Sequence, residues 1–470
     1  MTSPVELPGE VAVVNVGLPL FADAVRDQGR PVVQVDWRIP AGGDPALVAA
    51  LTRLYGRHAA GIDEANAEVA RRLDQGAPKL VGIEPAWRVV PDVDDRTILH
   101  CGPEIGWEDM CDPLRRSVRA AIMAEGWAPS PAGADHLIAR GRVRLEPANR
   151  HAAVVPMASA IGPSAPMLVV VNEAGGTRAF SAINQGPGDV AWFGRESPDA
   201  VDRLILLRQV VGPLLAECLR VAGPLEIFTL AAQGLQMGDD LHMRTQATTN
   251  LLVRSWLPHL MALSGARVEL GRFLAANHLF FLNLAMAGAK ALTLWAEQVE
   301  GSSVVTTMAR NGTTYGVRLA GPSSPWWVTE APPVGQALYY PGYGPEVAAP
   351  DIGDSAVLEL IGLGGSASAA SPAVAAFVGG TMTDAIAASE AMDRVCVSRS
   401  TRFKLPALDF RGSPVGVDVR KVVELGITPR VTTGILHAHD GSGQIGAGVA
   451  EAPLACFADA LLDLDARLSG

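Results

Sequence analysis

The sequence predicts a multidomain α/β protein with an N-terminal Rossmann-like parallel-sheet domain, a helix-rich middle region and a C-terminal α/β domain. Three observations predict it. The chain has 470 residues, and at roughly 100 to 200 residues per domain that length supports two to four separate cores. Over its first quarter β-branched runs alternate with helical patterns, as in a parallel sheet covered by helices. Beyond residue 300 the pattern turns from helix back to strand.

Taken in order, 11–16 (VAVVNV) reads as a strand, 18–29 as a helix and 31–37 (PVVQVDW) as a second strand, together one βαβ unit. Gly17-Leu18-Pro19 forms the first βα turn, and Asp36 ends the next strand about 20 residues later, as in dinucleotide-binding units. The second and third glycines of GxGxxG are missing, so this reads as a tight turn at a strand end. Runs at 79–83 and 97–101, with a helical pattern over 45–73, continue the alternation and set residues 1–128 as the Rossmann-like domain. The segment 128–133 (APSPAG) reads as a linker. A central domain, 129–300, then holds strands at 143–145 and 167–172 and helices at 199–221, 225–235, 240–263 and 279–298. The C-terminal α/β domain, 301–470, opens on strands at 302–309 and 314–320, then a Pro/Tyr/Gly loop at 339–345 and a small-residue run at 361–380.

Charge narrows the function. With 38 Lys and Arg against 49 Asp and Glu the net charge is −11, and no basic block is present to attract nucleic acid or an anionic membrane. The run 279–295 is interrupted by Asn283 and Lys290 and falls short of the ~20 apolar residues a span requires, so it reads as a buried helix. The N-terminus (MTSPVELPGE) has no basic and apolar regions of a secretory signal, and the 5 cysteines form no CxxC pair. A reduced, cytoplasmic protein is expected.

The densest polar cluster is 237–244 (MGDDLHMR), placed at the start of the helix expected over 240–263. Capping alone explains Asp239 and Asp240. Helical spacing would also gather Asp239, Asp240, His242 and Arg244 at one helix end, a grouping suited to proton transfer and anion binding. Two polar loops follow strands, one with Glu173 and Arg178, the next with Asn184 before Gly186-Pro187-Gly188; strand-end loops carry ligand contacts in α/β proteins, and glycines equally mark ordinary turns. Arg310-Asn311-Gly312-Thr313 is a hairpin signal whose Arg310 and Thr313 could flank a substrate, with Arg310 and Asn311 as substrate-binding candidates. Asp354, and Gly364-Gly365-Ser366 before a small-residue helix, could present N–H groups to a phosphate or carboxylate. No Gly-Lys-Ser/Thr P-loop or GxSxG elbow is present. His437-Ala438-His439-Asp440 offers two imidazoles on one strand face but no third ligand in sequence, so no metal site is assigned and no cofactor is expected.

Nine blocks in order resemble the YlbE-like, or AllG-like, family over nearly the whole chain: 15–22 with 35–43 (VDWRIPAGG), 101–113 (CGPEIGWEDMCDP), 176–194 (GTRAFSAINQGPGDVAWFG), 237–244, 281–318, 340–365, 377–381, 406–421 (PALDFRGSPVGVDVRK) and 443–448. The resemblance implies a subunit of oxamate carbamoyltransferase, exchanging carbamoyl phosphate and oxamate for phosphate and oxalurate in purine (allantoin) catabolism. It also implies an FdrA-like partner subunit, and a homo-oligomer is expected. Transfer to a weakly nucleophilic amide needs a base, with cationic or N–H donors for the phosphate and the developing oxyanion. Arg178, Arg244, Arg310 and Arg411 are candidates to hold the anions, with Gly364, Gly365 and Ser366 as donors and His242 or Asp239 as the proton acceptor. An amidohydrolase acting on a ureido or amide acid, or a non-catalytic scaffold subunit, are the competing readings.

Overall fold

The computed structural model describes residues 13–35 and 39–469 and shows a mixed α/β protein. Strands Val13–Val16 and Val32–Val35 pair in parallel around helix Pro19–Asp27, so the first βαβ unit forms. Asp36 lies outside the described residues.

The parallel sheet stops there. Strand Pro78–Pro85 pairs antiparallel with Pro166–Asn172, which pairs antiparallel with Thr177–Ala182. Thr97–His100 lies parallel to Arg144–Pro147 and antiparallel to Ala160–Ile161. The extended Rossmann-like sheet expected within 1–128 is therefore corrected to a two-stranded parallel pair, with the later strands joined to partners beyond residue 128. Hydrophobic alternation records which face of a strand is buried and carries nothing about its neighbour. Here the hairpin turn at Asn172–Thr177 favours a local antiparallel partner.

Helix Phe280–Ala296 runs beneath this sheet and is buried almost throughout. A helix apolar on all sides belongs in an interior, and this one satisfies Asn283 by donation to Ala182 O at 2.7 Å. Among the described residues no single helix is long and apolar enough to cross a membrane. The helical pattern at 45–73 splits into Pro45–Tyr55 and Ala59–Gln75 at Gly56. The first of these packs on the C-terminal helix Leu454–Ser469, with Arg53 paired to Asp465 at 2.6 Å.

In the C-terminal part, Val305–Asn311 and Thr314–Leu319 form the expected hairpin. Asn311 Oδ1 accepts from the N–H groups of Thr313 and Thr314, and Gly312 takes the positive φ the turn requires. Strands Gln336–Tyr339, Gln444–Glu451 and Arg430–Leu436 form a separate antiparallel sheet.

Asp354 ties three distant segments together. Its carboxylate accepts from Gly102 N at 2.8 Å and from Val155 N at 3.0 Å, beside the Ile352–Gly353 strand. Burial raises its pKa from 3.8 to about 7, opposed by those two backbone bonds and by Arg310 and Lys290. A carboxyl that holds its proton more tightly when folded adds stability at acid pH and loses it as pH climbs from about 4 to about 7. Asp354→Asn, though less stable overall, should therefore show a flatter decline in urea unfolding free energy between pH 5 and 7, by up to about 1.4 kcal/mol per pH unit. Parallel slopes for variant and parent would refute the assignment.

Candidate functional site

Strand Thr177–Ala182 leaves the sheet into a loop that builds one wall of a cleft of about 320 Å³. Asn184 shapes the wall: its Oδ1 accepts from Gly186 N at 2.9 Å, and its carbonyl accepts from Asn277 Nδ2 at 3.0 Å. Trp192 closes the loop on itself, donating from Nε1 to Gly186 O and from its backbone N–H to Gln185 Oε1. Gly186 and Gly188 have φ of +76° and +105°, which L side chains rarely adopt, so the turn between them is a backbone wall. Opposite stand Asn277, His278 and Leu279 at the head of the core helix, Ser442 and Gln444 from the final hairpin, and Tyr340, Phe377 and Met243. Five segments separated widely in sequence, those around 176–194, 237–244, 340–365, 377–381 and 443–448, thus contribute to one cavity.

The cleft combines a largely apolar lining with a few polar side chains and one guanidinium, that of Arg195. Arg195 Nε lies 3.0 Å from Asp189 Oδ1, and the rest of the guanidinium has no other carboxylate partner among the described residues. Partial burial lowers the pKa of His278, favouring the neutral imidazole that can accept a proton. Burial raises the pKa of Tyr340, which keeps its hydroxyl a donor. Asn277 is 1% exposed, and its Oδ1 has no hydrogen-bond partner among the described residues. An unpaired buried acceptor costs free energy that an N–H group of a ligand would offset.

Apart from Asn184, the sequence-predicted residues divide into three groups. Asp239, Asp240, His242, Arg244, Gly364, Gly365 and Ser366 do meet, behind the cleft wall that Met243 lines. They are largely occupied with one another. Helix Gln246–Ala262 starts later than expected, because Asp240 Oδ1 accepts from the N–H groups of His242 and Arg244 and holds the stretch as a turn, with Leu241 at φ +67°. Asp239 accepts from Ala247 N and from Thr248 N and Oγ1, and it pairs with Arg244 at 2.6 Å. His242 Nδ1 sits 2.8 Å from Glu359 Oε1, and Gly365 N donates to that same oxygen. The N–H cradle expected to hold a bound anion at Gly364–Ser366 therefore holds an internal one, the Glu359 carboxylate.

A second group, Arg310, Asn311 and Asp354, is buried elsewhere. Arg310 is 0% exposed, pairs with Asp351 through two bonds of 2.7 and 2.9 Å, and donates to Gly353 O. The third group lies at the surface. Glu173 pairs with Lys79, Arg178 stacks over the Phe180 ring, and Arg411 sits 3.6 Å from Glu390. The expected convergence of Arg178, Arg244, Arg310 and Arg411 on a single anion does not occur. Of the predicted residues, Asn184 is the one that shapes the cleft wall directly.

Residues 143–355 match the family model described as oxamate carbamoyltransferase subunit AllG. The protein named oxamate carbamoyltransferase subunit AllG in Escherichia coli (strain K12) is 38% identical over 408 residues, 85% of this chain and 97% of that protein. The chain belongs to the AllG family. The uncharacterised protein YahG of the same strain is 36% identical over 455 residues, 96% of each chain. A crystal structure of a conserved protein of unknown function from Enterococcus faecalis V583 superposes with a TM-score of 0.84 at 36% identity, covering 86% of this chain and 98% of that one.

Within this AllG-family chain the cleft residues that sequence reasoning missed are Arg195, Asn277 and His278. Arg195 follows directly on the 176–194 block, and Asn277-His278 stands just before the 281–318 block. Proximity to recognisable blocks was the available signal, since each residue taken alone is an ordinary polar side chain. The His437–Asp440 pair of imidazoles is used within its own turn: His437 Nδ1 accepts from the N–H groups of His439 and Asp440. No group of three or more His, Cys, Asp or Glu side chains is placed to hold a metal ion among the described residues.

Proposed function

We propose that this chain is a carbamoyltransferase-type subunit and that its cleft transfers a carbamoyl group between carbamoyl phosphate and an amide acid such as oxamate. One observation carries the reading: a guanidinium paired on one side only, a neutral imidazole and an unsatisfied buried amide oxygen line the same cavity, at Arg195, His278 and Asn277. In the synthetic direction the amide nitrogen attacks the carbamoyl carbon. The carbon–nitrogen bond forms, the carbon–oxygen bond to phosphate breaks, and His278 takes the proton lost by nitrogen. Asn277 Oδ1 orients the amide N–H, while Arg195 stabilises the oxyanion and the departing phosphate. The resident Glu359 carboxylate, bonded to His242, is a structural anion in this scheme.

A protein partner, FdrA-like in the family resemblance, fits the N-terminal unit. A two-stranded parallel sheet is not a stable unit by itself, and Val14, Val33 and Phe21 are 62%, 63% and 58% exposed. Incubation of the chain, with and without the partner, with oxalurate and phosphate is the test. Phosphate-dependent loss of oxalurate with formation of carbamoyl phosphate is the expected result. Loss independent of phosphate would replace the reading with a hydrolase, and no turnover in either condition would replace it with a scaffold.

A further inference from the structure

Across the Gly186–Pro187 turn lies a second cavity of about 310 Å³, sharing those two residues with the cleft as a common wall. Its floor is apolar, Leu206 and Phe273, and its rim carries Arg203, Arg272 and the single carboxylate of Glu269. The two guanidiniums differ from the paired arginines of the interior. Arg244, Arg310 and Arg420 each have an aspartate partner. Partly buried Arg203 donates Nη1 to the neutral carbonyl of Gln185 at 2.5 Å, and neither it nor Arg272 has a carboxylate partner among the described residues. Two cations facing one cavity repel each other unless an anion sits between them, and in a chain of net charge −11 such a pair is not incidental to composition.

We propose that this cavity is a second subsite, which binds an oxyanion between Arg203 and Arg272. Its place on the far side of the Gly186–Pro187 wall suits the remote anionic group of a ligand whose reacting end occupies the cleft. In that respect the inference rests on the transfer reading and deepens it. Two sources share the required chemistry. One is inorganic phosphate bound apart from the reacting carbon. The other is the distal carboxylate of an amide acid longer than oxamate, with its methylene chain on Leu206 and Phe273. Arg203 also positions the wall, because a Cβ at Gly186 would lie 3.3 Å from its Nη1, so anion binding there is coupled to the turn lining the cleft.

The test is titration of the full chain with inorganic phosphate and, separately, with succinate, read by calorimetry at low ionic strength. Saturable binding of at least one anion is expected, weakened about ten-fold in Arg272→Gln, partly retained in Arg272→Lys and reduced by added salt. Arg272 is exposed and has no hydrogen-bond or ion-pair partner among the described residues, so Arg272→Gln should fold normally. Arg195→Gln, on the other side of the wall, should leave the Arg272-dependent part of this binding unchanged. Phosphate binding assigns the subsite to inorganic phosphate, and succinate binding assigns it to a longer amide acid. Absence of saturable binding by either anion, equal affinity in Arg272→Gln, or loss in Arg195→Gln alone would overturn the proposal. The outcome is separable from the transfer reading. Arg272-dependent binding without carbamoyl transfer would leave the subsite standing and remove the reaction, whereas transfer with Arg272-independent binding would do the reverse.

Discussion

Replacing Arg195 by Ala is expected to lower the rate of carbamoyl transfer by about 10²–10³-fold, the range for removing one preorganised donor to a developing oxyanion. The expectation rests on geometry. Arg195 is partly exposed at the cleft, bound on one side to Asp189, and its side chain lies against Gly443, where a Cβ would meet Arg195 Cδ at 3.3 Å. A glycine at that position lets the guanidinium lie flat along the final hairpin. The same partial exposure predicts little structural cost: a single ion pair near the surface contributes about 0–1 kcal/mol, so urea unfolding should shift by no more than that. Arg195→Lys keeps the charge but loses the planar fork, and it should recover only part of the rate. Full activity in Arg195→Ala would move the reaction out of this cleft. A loss of activity matched by a comparable loss of stability would make Arg195 a structural residue.

How much of this was legible in the sequence depended on the kind of information each feature carries. Helix Phe280–Ala296 and the hairpin around Asn311-Gly312 could be read because continuous apolarity and turn chemistry are local properties. The pairing of Pro78–Pro85 with Pro166–Asn172 could not, since a strand's composition does not name its neighbour. The residues of the 237–244 cluster do lie together, but the helix start expected there is a turn, because a helix N-terminus and a run of Asx-type turns use the same residues. What separates them is that Asp240 bonds within its own turn while Thr432, almost 200 positions away, donates to its other oxygen at 3.1 Å. The occupant of the Gly364–Ser366 cradle was equally hidden. Glu359 stands only a few residues upstream, yet nothing local distinguishes a carboxylate that will fold back onto Gly365 N and His242 from one that faces water. Arg178 illustrates the converse: a cation in a glycine-rich loop context resembles a ligand-binding residue, but here it lies near the start of an edge strand, exposed and stacked on Phe180.

Asp351→Ala is expected to destabilise the protein by about 3–5 kcal/mol, because it leaves the Arg310 guanidinium in the interior without its carboxylate. Both side chains are inaccessible to solvent and joined by two bonds, and the third contact, to Gly353 O, neutralises no charge. Water cannot enter to solvate the cation without opening the strand pairing of Val305–Asn311 with Ile352–Gly353, where Arg310 lies opposite Gly353. The double replacement Arg310→Met with Asp351→Leu removes both charges while roughly keeping volume, and it should recover most of the lost stability, since a buried pair often does no better than an apolar one of similar size. Urea unfolding of the parent, the single variant and the double variant at pH 7 measures this directly. If Asp351→Ala costs less than about 1 kcal/mol, the guanidinium has found water and the interior is looser than the fold implies. The double variant also decides the role of Arg310 in the reaction: a guanidinium needed only to close the core is dispensable once the core closes without it, so carbamoyl transfer should return with stability, whereas an anion ligand would leave the refolded double variant inactive.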